Sequence, residues 1–195
     1  DVYKRQTEEQ LSRRWDTTPS DAMVDAAAQG EFDNVNSVYA WVRTMLADPR
    51  AEETITNFHR ELMHTSTYSS IQKDPAVFPD VDPTWGAAMA EEFDLFVQDV
   101  LAHQSGGLSD LLTATHTFVN ATLAPIYGLD AAAFGSQFER VELDPTQRSG
   151  LLTRSGFLAD RASIKHPDPI LRGVLVAERI ICAELPPPPP NVVGL

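Results

Sequence analysis

Proline follows directly on a capping residue at several places in this chain, among them Thr18-Pro19, Asp48-Pro49, Asp82-Pro83, Asp144-Pro145 and Asp168-Pro169. Each pair restricts the backbone sharply. Proline has a fixed φ and no N–H, so it suits the first turn of a helix or a turn and not a helix interior. The residue before it can accept hydrogen bonds from the N–H groups that a first helical turn leaves open. A chain punctuated this way is cut into separate, short helices.

The side chains between the cuts carry helical spacing. After Thr18-Pro19, with Asp21 at the third helical position, Met23, Val24 and Ala27 form a short apolar stripe that Gly30 stops. Asp33 or Asn34 opens a second helix carrying Val35, Val38, Val42, Met45 and Leu46, with Tyr39 and Trp41 beside them. Asp48-Pro49 ends it and starts a third, whose expected buried face is Ala51, Ile55, Phe58 and Leu62. Residues 65–83, rich in Ser, Thr, Asp and Pro, read as a loop. The strongest stripe follows Asp82-Pro83: Trp85, Met89, Phe93, Phe96, Val97, Val100 and Leu101, closed by Gly106-Gly107.

The pattern then weakens. A short apolar piece over 108–112 leads to Thr117-Phe-Val-Asn120, Leu123-Ala124 and Tyr127-Gly128. Residues 137–143 alternate, with Val141 and Leu143 on one side and Phe138 on the other, which predicts a single strand. Asp144-Pro145 turns the chain, and Asp168-Pro169 launches a helix to about Cys182 in which Leu171, Val174, Leu175, Glu178 and Ile181 share a face. Pro186 to Pro190 end that helix and read as a semi-rigid spacer, about 3 Å per residue. The expected fold is mainly α: an irregular helical bundle with a C-terminal helix and a polyproline linker, and at most one short strand or hairpin. Its expected parts are a helical domain over 11–128 and a linker module over 137–195, in what reads as a fragment of a larger protein. The opening Asp1-Val-Tyr-Lys-Arg-Gln6 continues no later pattern and reads as an end artefact.

Charge and chemistry narrow the function. With 28 acidic against 15 basic residues, the net charge is −13, which argues against a nucleic-acid partner, since phosphate contacts need clustered Lys and Arg. No run of about 18 apolar residues is present to span a membrane. Cys182, the one cysteine, has no internal disulfide partner and, near a helix C-terminus, is expected to be a buried, inert thiol. His59 and His64 bracket Glu61, but five residues apart they diverge around a helix, and Glu61-x-x-His64 has no second copy to build a di-iron site. Adjacent Glu91 and Glu92 likewise diverge. Ser149-Gly150 and Ser155-Gly156 lack the Gly-x-Ser-x-Gly elbow and read as turn or helix-edge residues. Catalytic residues thus stay unassigned, with no cofactor-binding or metal-ligating residue within the chain.

Several of these motifs together resemble a known pair of domains. Thr117-Phe-Val-Asn120, Leu123-Ala124 and Tyr127-Gly128, followed by Arg148-x-Gly150-Leu-Leu-Thr153, are similar to the planctomycete and myxobacterial domains of unknown function DUF1592 and DUF1588. Asp48-Pro-Arg-Ala51, Phe58-His59, Phe78-Pro79, Pro169-x-x-Arg172-Gly173 and the prolines before Asn191-Val192 add to the resemblance, which runs from about Leu11 onward. It implies a large exported protein, periplasmic or extracellular, joined to a c-type-cytochrome-like module, with haem c attached by a motif beyond this chain.

The expected role is therefore a non-catalytic structural or docking part of a c-type-cytochrome-associated protein, its partner being the cytochrome-like module of the same protein. The alternative is an enzyme domain acting on an extracellular polymer, with Trp41, Tyr68 and Trp85 lining a cleft. Under either, Arg148 and Arg172 are expected to support folding through tertiary ion pairs.

Overall fold

The computed structural model describes residues 19–102 and 106–186. Thr18, Asp1 to Gln6, Leu11 and Pro187 to Pro190, all used in the sequence-based expectations, lie outside them. Among the described residues the fold is mainly α, with one two-stranded antiparallel sheet. Two compact units divide between His59 and Arg60.

The first unit is small. Helix α1 (Asp21–Ala28) is capped by Ser20, whose hydroxyl accepts from the Met23 N–H at 3.4 Å, so Pro19 precedes the helix instead of opening it. Gly30, at φ 76°, stops it as expected. Helix α2 (Val35–Leu46) is capped by Asn34 through a 2.8 Å bond from the Asn36 N–H. Helix α3 (Pro49–Met63) starts at the predicted proline, where the Asp48 carboxylate catches the first available amide, that of Arg50, at 2.9 Å. Its core is Met23, Met45 and Ala51 with Phe32, Trp41 and Val42 packed around them. The expected stripes are only partly used: Val35, Tyr39, Leu46 and Phe58 are exposed, because three short helices cover a narrower contact than their apolar faces offer.

The second unit surrounds helix α4 (Trp85–Ala102). Met89, Phe93, Phe96, Val97 and Val100 are buried, so the strongest stripe in the sequence becomes the axis of the core. Against α4 pack a 3-10 turn (Thr65–Ser70), helix α5 (Leu108–Thr113), strand β1 (His116–Val119) and helix α6 (Ser155–Asp160). Strand β2 (Glu139–Glu142) falls where alternation placed a strand, and pairs with β1 in the register Thr117–Val141 and Val119–Glu139. β1 is covered on α4 while β2 is exposed on its outer side. Gly86 lets the first turn of α4 lie against the Tyr68 main chain, where any Cβ would collide with the Tyr68 carbonyl.

Helix α7 (Pro169–Leu175) starts as predicted, with Asp168 accepting from the Leu171 N–H at 2.9 Å. It does not remain α-helical to Cys182. After Leu175 the chain makes a π turn (Val176–Ile180), and Cys182 takes φ 55°. That geometry leaves Cys182 exposed, contrary to a buried thiol. Glu178 and Ile181 are exposed as well, and only Leu175 of the proposed face is buried.

Candidate functional site

Glu92 sits on the apolar face of α4, three residues after Met89 and four before Phe96, and is completely buried. Three hydroxyls surround its carboxylate. Thr117 of β1 donates to Oε1 at 2.5 Å, Tyr127 donates to the same oxygen, and Ser155 at the start of α6 donates to Oε2 at 2.7 Å. Tyr127, near the end of the 3-10 turn Ala124–Tyr127, in turn accepts from the Ser155 N–H at 2.9 Å. Arg154 is the counter-charge. It is 2% exposed, lies 4.1 Å over the Phe96 ring and donates to the Ala114 carbonyl at 3.1 Å. Burial pushes the Glu92 carboxyl above its ordinary 4.5, against the downward pull of the hydroxyls and Arg154. Burial and the neighbouring Glu92 charge likewise push the Tyr127 phenol well up.

Beside this network lies a pocket of about 360 Å³. Phe78, Trp85, Met89 and Leu158 are among its apolar walls, and Ser155 reaches it from the network side. Lys73, Arg148 and Arg172 also line it. All three bind main-chain carbonyls: Lys73 those of Ala159 and Ser163 at 2.8 and 2.9 Å, Arg172 those of Leu158 and Arg161 at 3.0 and 3.2 Å, and Arg148 that of Thr153 at 2.8 Å. Arg148 also lies 5.2 Å over the Tyr127 ring. Among the described residues, then, Arg148 and Arg172 act through carbonyls and not through tertiary ion pairs. Their guanidinium groups fasten loop and helix-end carbonyls, a role that spacing along a sequence does not reveal.

The other sequence candidates are dispersed. His59 Nδ1 lies 2.7 Å from the Ile55 carbonyl, within its own helix. Glu61 is exposed, and His64 terminates α3 at φ 57°. Glu91 is exposed while Glu92 is buried, the divergence expected of adjacent helical residues. Ser149 donates to the Thr113 carbonyl at 3.1 Å. Trp41 belongs to the core of the first unit, Tyr68 is buried in that of the second, and Trp85 lines the pocket. Among the described residues no three His, Cys, Asp or Glu side chains gather as a metal site. Nor is any helix there long and apolar enough to cross a membrane.

Glu92 and Arg154 were the residues that sequence reasoning missed. A signal existed for Glu92, since a carboxylate falls inside the apolar stripe of α4 at helical spacing. None existed for Arg154, which enters the core from an irregular turn.

Two family profiles match the chain. One, described as "Protein of unknown function (DUF1592)", covers residues 11–129; the other, described as "Protein of unknown function (DUF1588)", covers residues 148–195. They occur in the order that the resemblance implied. No curated protein and no solved structure matches. Glu92, Thr117 and Tyr127 come from the first matched segment and Arg154 and Ser155 from the second, so the two meet in one buried network.

Proposed function

This chain belongs to the DUF1592 family of proteins of unknown function, and we propose that it is a non-catalytic docking part of a larger exported protein. The partner in this reading is a c-type-cytochrome-like module of the same protein, carrying haem c, in the periplasm or outside the cell. One observation carries it. Helix α7 is fastened to the core by Arg172, yet Ile170 and Leu171 on it, and Ile181 and Leu185 beyond it, stand exposed. Exposed large apolar side chains held on an anchored element suit a protein interface.

The test is to produce this chain and the haem-bearing module separately and measure their association by calorimetry. Binding is expected, and Ile170→Ser with Ile181→Ser should weaken it about tenfold, a loss ordinary for apolar anchors at an interface. Absence of association would overturn the reading.

A second reading, an enzyme domain acting on an extracellular polymer, draws on Ser155. Its hydroxyl is paired with the Glu92 carboxylate and the residue lines the pocket. Polymer breakdown that disappears in Ser155→Ala, with folding retained, would favour it.

A further inference from the structure

We propose that the pocket beside Trp85 binds a small amphipathic carboxylate, an apolar chain or ring ended by one negative charge. Lys73, Arg148 and Arg172 line one pocket, and no lining residue is a carboxylate. None of the three takes part in the ion pairs found among the described residues. In a chain with 28 acidic and 15 basic residues, three bases without a salt bridge gathered at one cavity run against the overall charge.

Their internal hydrogen bonds do not neutralise them. Carbonyl acceptors carry no net charge, and donor capacity is left over: Lys73 uses two N–H groups of three, Arg172 two of five and Arg148 one of five. An anion entering the pocket would gain both Coulomb attraction and charge-assisted hydrogen bonds.

The rest of the wall decides what kind of anion. Phe78, Trp85, Met89 and Leu158 offer apolar surface, and about 360 Å³ lies at the small end of ligand sites. A compact dianion such as inorganic phosphate would leave that surface unused and bring a heavier desolvation cost. A monocarboxylate with a body of several carbons uses both halves of the site.

Octanoate is the probe, titrated into the whole chain by calorimetry, with 1-octanol and inorganic phosphate as comparators. Octanoate should bind saturably, octanol about tenfold or more weakly, and phosphate without saturation, because the charge and the apolar body each supply part of the affinity. Ala162→Trp, which puts a large ring at the pocket wall without removing a charged residue, should abolish octanoate binding. Arg148→Gln should weaken it about tenfold and Arg148→Lys should restore most of it, since the positive charge returns. Equal binding of octanol, saturable phosphate binding, or unchanged affinity in Ala162→Trp would overturn the proposal. So would the absence of any octanoate binding, which would leave the three cations as carbonyl caps alone. Urea unfolding of each variant establishes that it is folded, and Ala162→Trp decides the matter if Arg148→Gln is not.

Discussion

The Ser155 hydroxyl donates to the Glu92 carboxylate at 2.7 Å across 63 residues of sequence. That bond joins the axis of the core to the start of α6, and so ties the segment matched by one family profile to the segment matched by the other. A carboxylate at such a place depends on its partners, because unsolvated charge in a core is tolerated only when it is hydrogen-bonded and balanced.

Removing that carboxylate alone should be severe. Glu92→Ala leaves Arg154 buried without its counter-charge, and a loss of about 3–5 kcal/mol is expected in urea denaturation. The double variant Glu92→Leu with Arg154→Met should be less damaged than the sum of the two single changes, because no lone charge remains. Additive losses would mean that the two groups do not balance each other.

The pH dependence of stability should carry two opposite signatures. The Glu92 carboxyl is raised above 4.5 by burial, so the folded state holds that proton more tightly than the unfolded chain. Stability from this group is therefore highest below 4.5 and falls as pH rises through the window above it. Glu92→Gln should remove that decline.

His116 acts in the other direction. Burial, with Arg140 and Arg154, lowers its pKa below 6.5, although Asp99 at 2.8 Å and Glu142 pull it up. The unfolded chain then takes the proton first, and stability is lost as pH falls from about 6.5 toward the lowered folded value. His116→Phe should flatten that acid-side loss in unfolding curves recorded between neutral and mildly acidic pH.

Two glycines should respond with opposite sign. Gly150 has φ 60°, and a Cβ there would collide with the Leu112 carbonyl group, so Gly150→Ala should cost about 2–4 kcal/mol. Gly173 lies within α7 with open space around it, and Gly173→Ala should stabilise by up to about 1 kcal/mol through helix propensity. Thermal unfolding of both variants measures the contrast.

Cys182 should react with a thiol reagent in the folded protein without prior unfolding, because its side chain is exposed. Its left-handed φ of 55° is one that glycine adopts freely, so Cys182→Gly should stabilise by about 0.5–1 kcal/mol. A thiol that reacts only in denaturant would contradict the exposed position.

Local chemistry accounts for what was legible in advance. Asp48, Asp82 and Asp144 each catch the N–H two residues on, at 2.9, 2.7 and 2.9 Å, because a short Asp side chain reaches that amide in an Asx turn, and the intervening proline fits the turn. The α4 stripe was legible for a similar reason, since helical spacing alone puts Met89, Phe93 and Phe96 on one side. Thr117 was harder. Its β1 strand is four residues long and exists because β2 lies beside it, and no periodicity in so short a piece separates strand from helix.

The aspartates that cap before proline at Asp48, Asp82, Asp144 and Asp168, and the central stripe, were determined by the sequence alone, because each depends on neighbours within a few turns of chain. The tertiary structure decided the rest. It selected Glu92 over Glu91 for burial, turned Arg148 and Arg172 toward carbonyls instead of carboxylates, and exposed Cys182. Those outcomes depend on which distant groups arrive at a side chain, and a hydrogen bond closed across 63 residues leaves no mark on the spacing of either end.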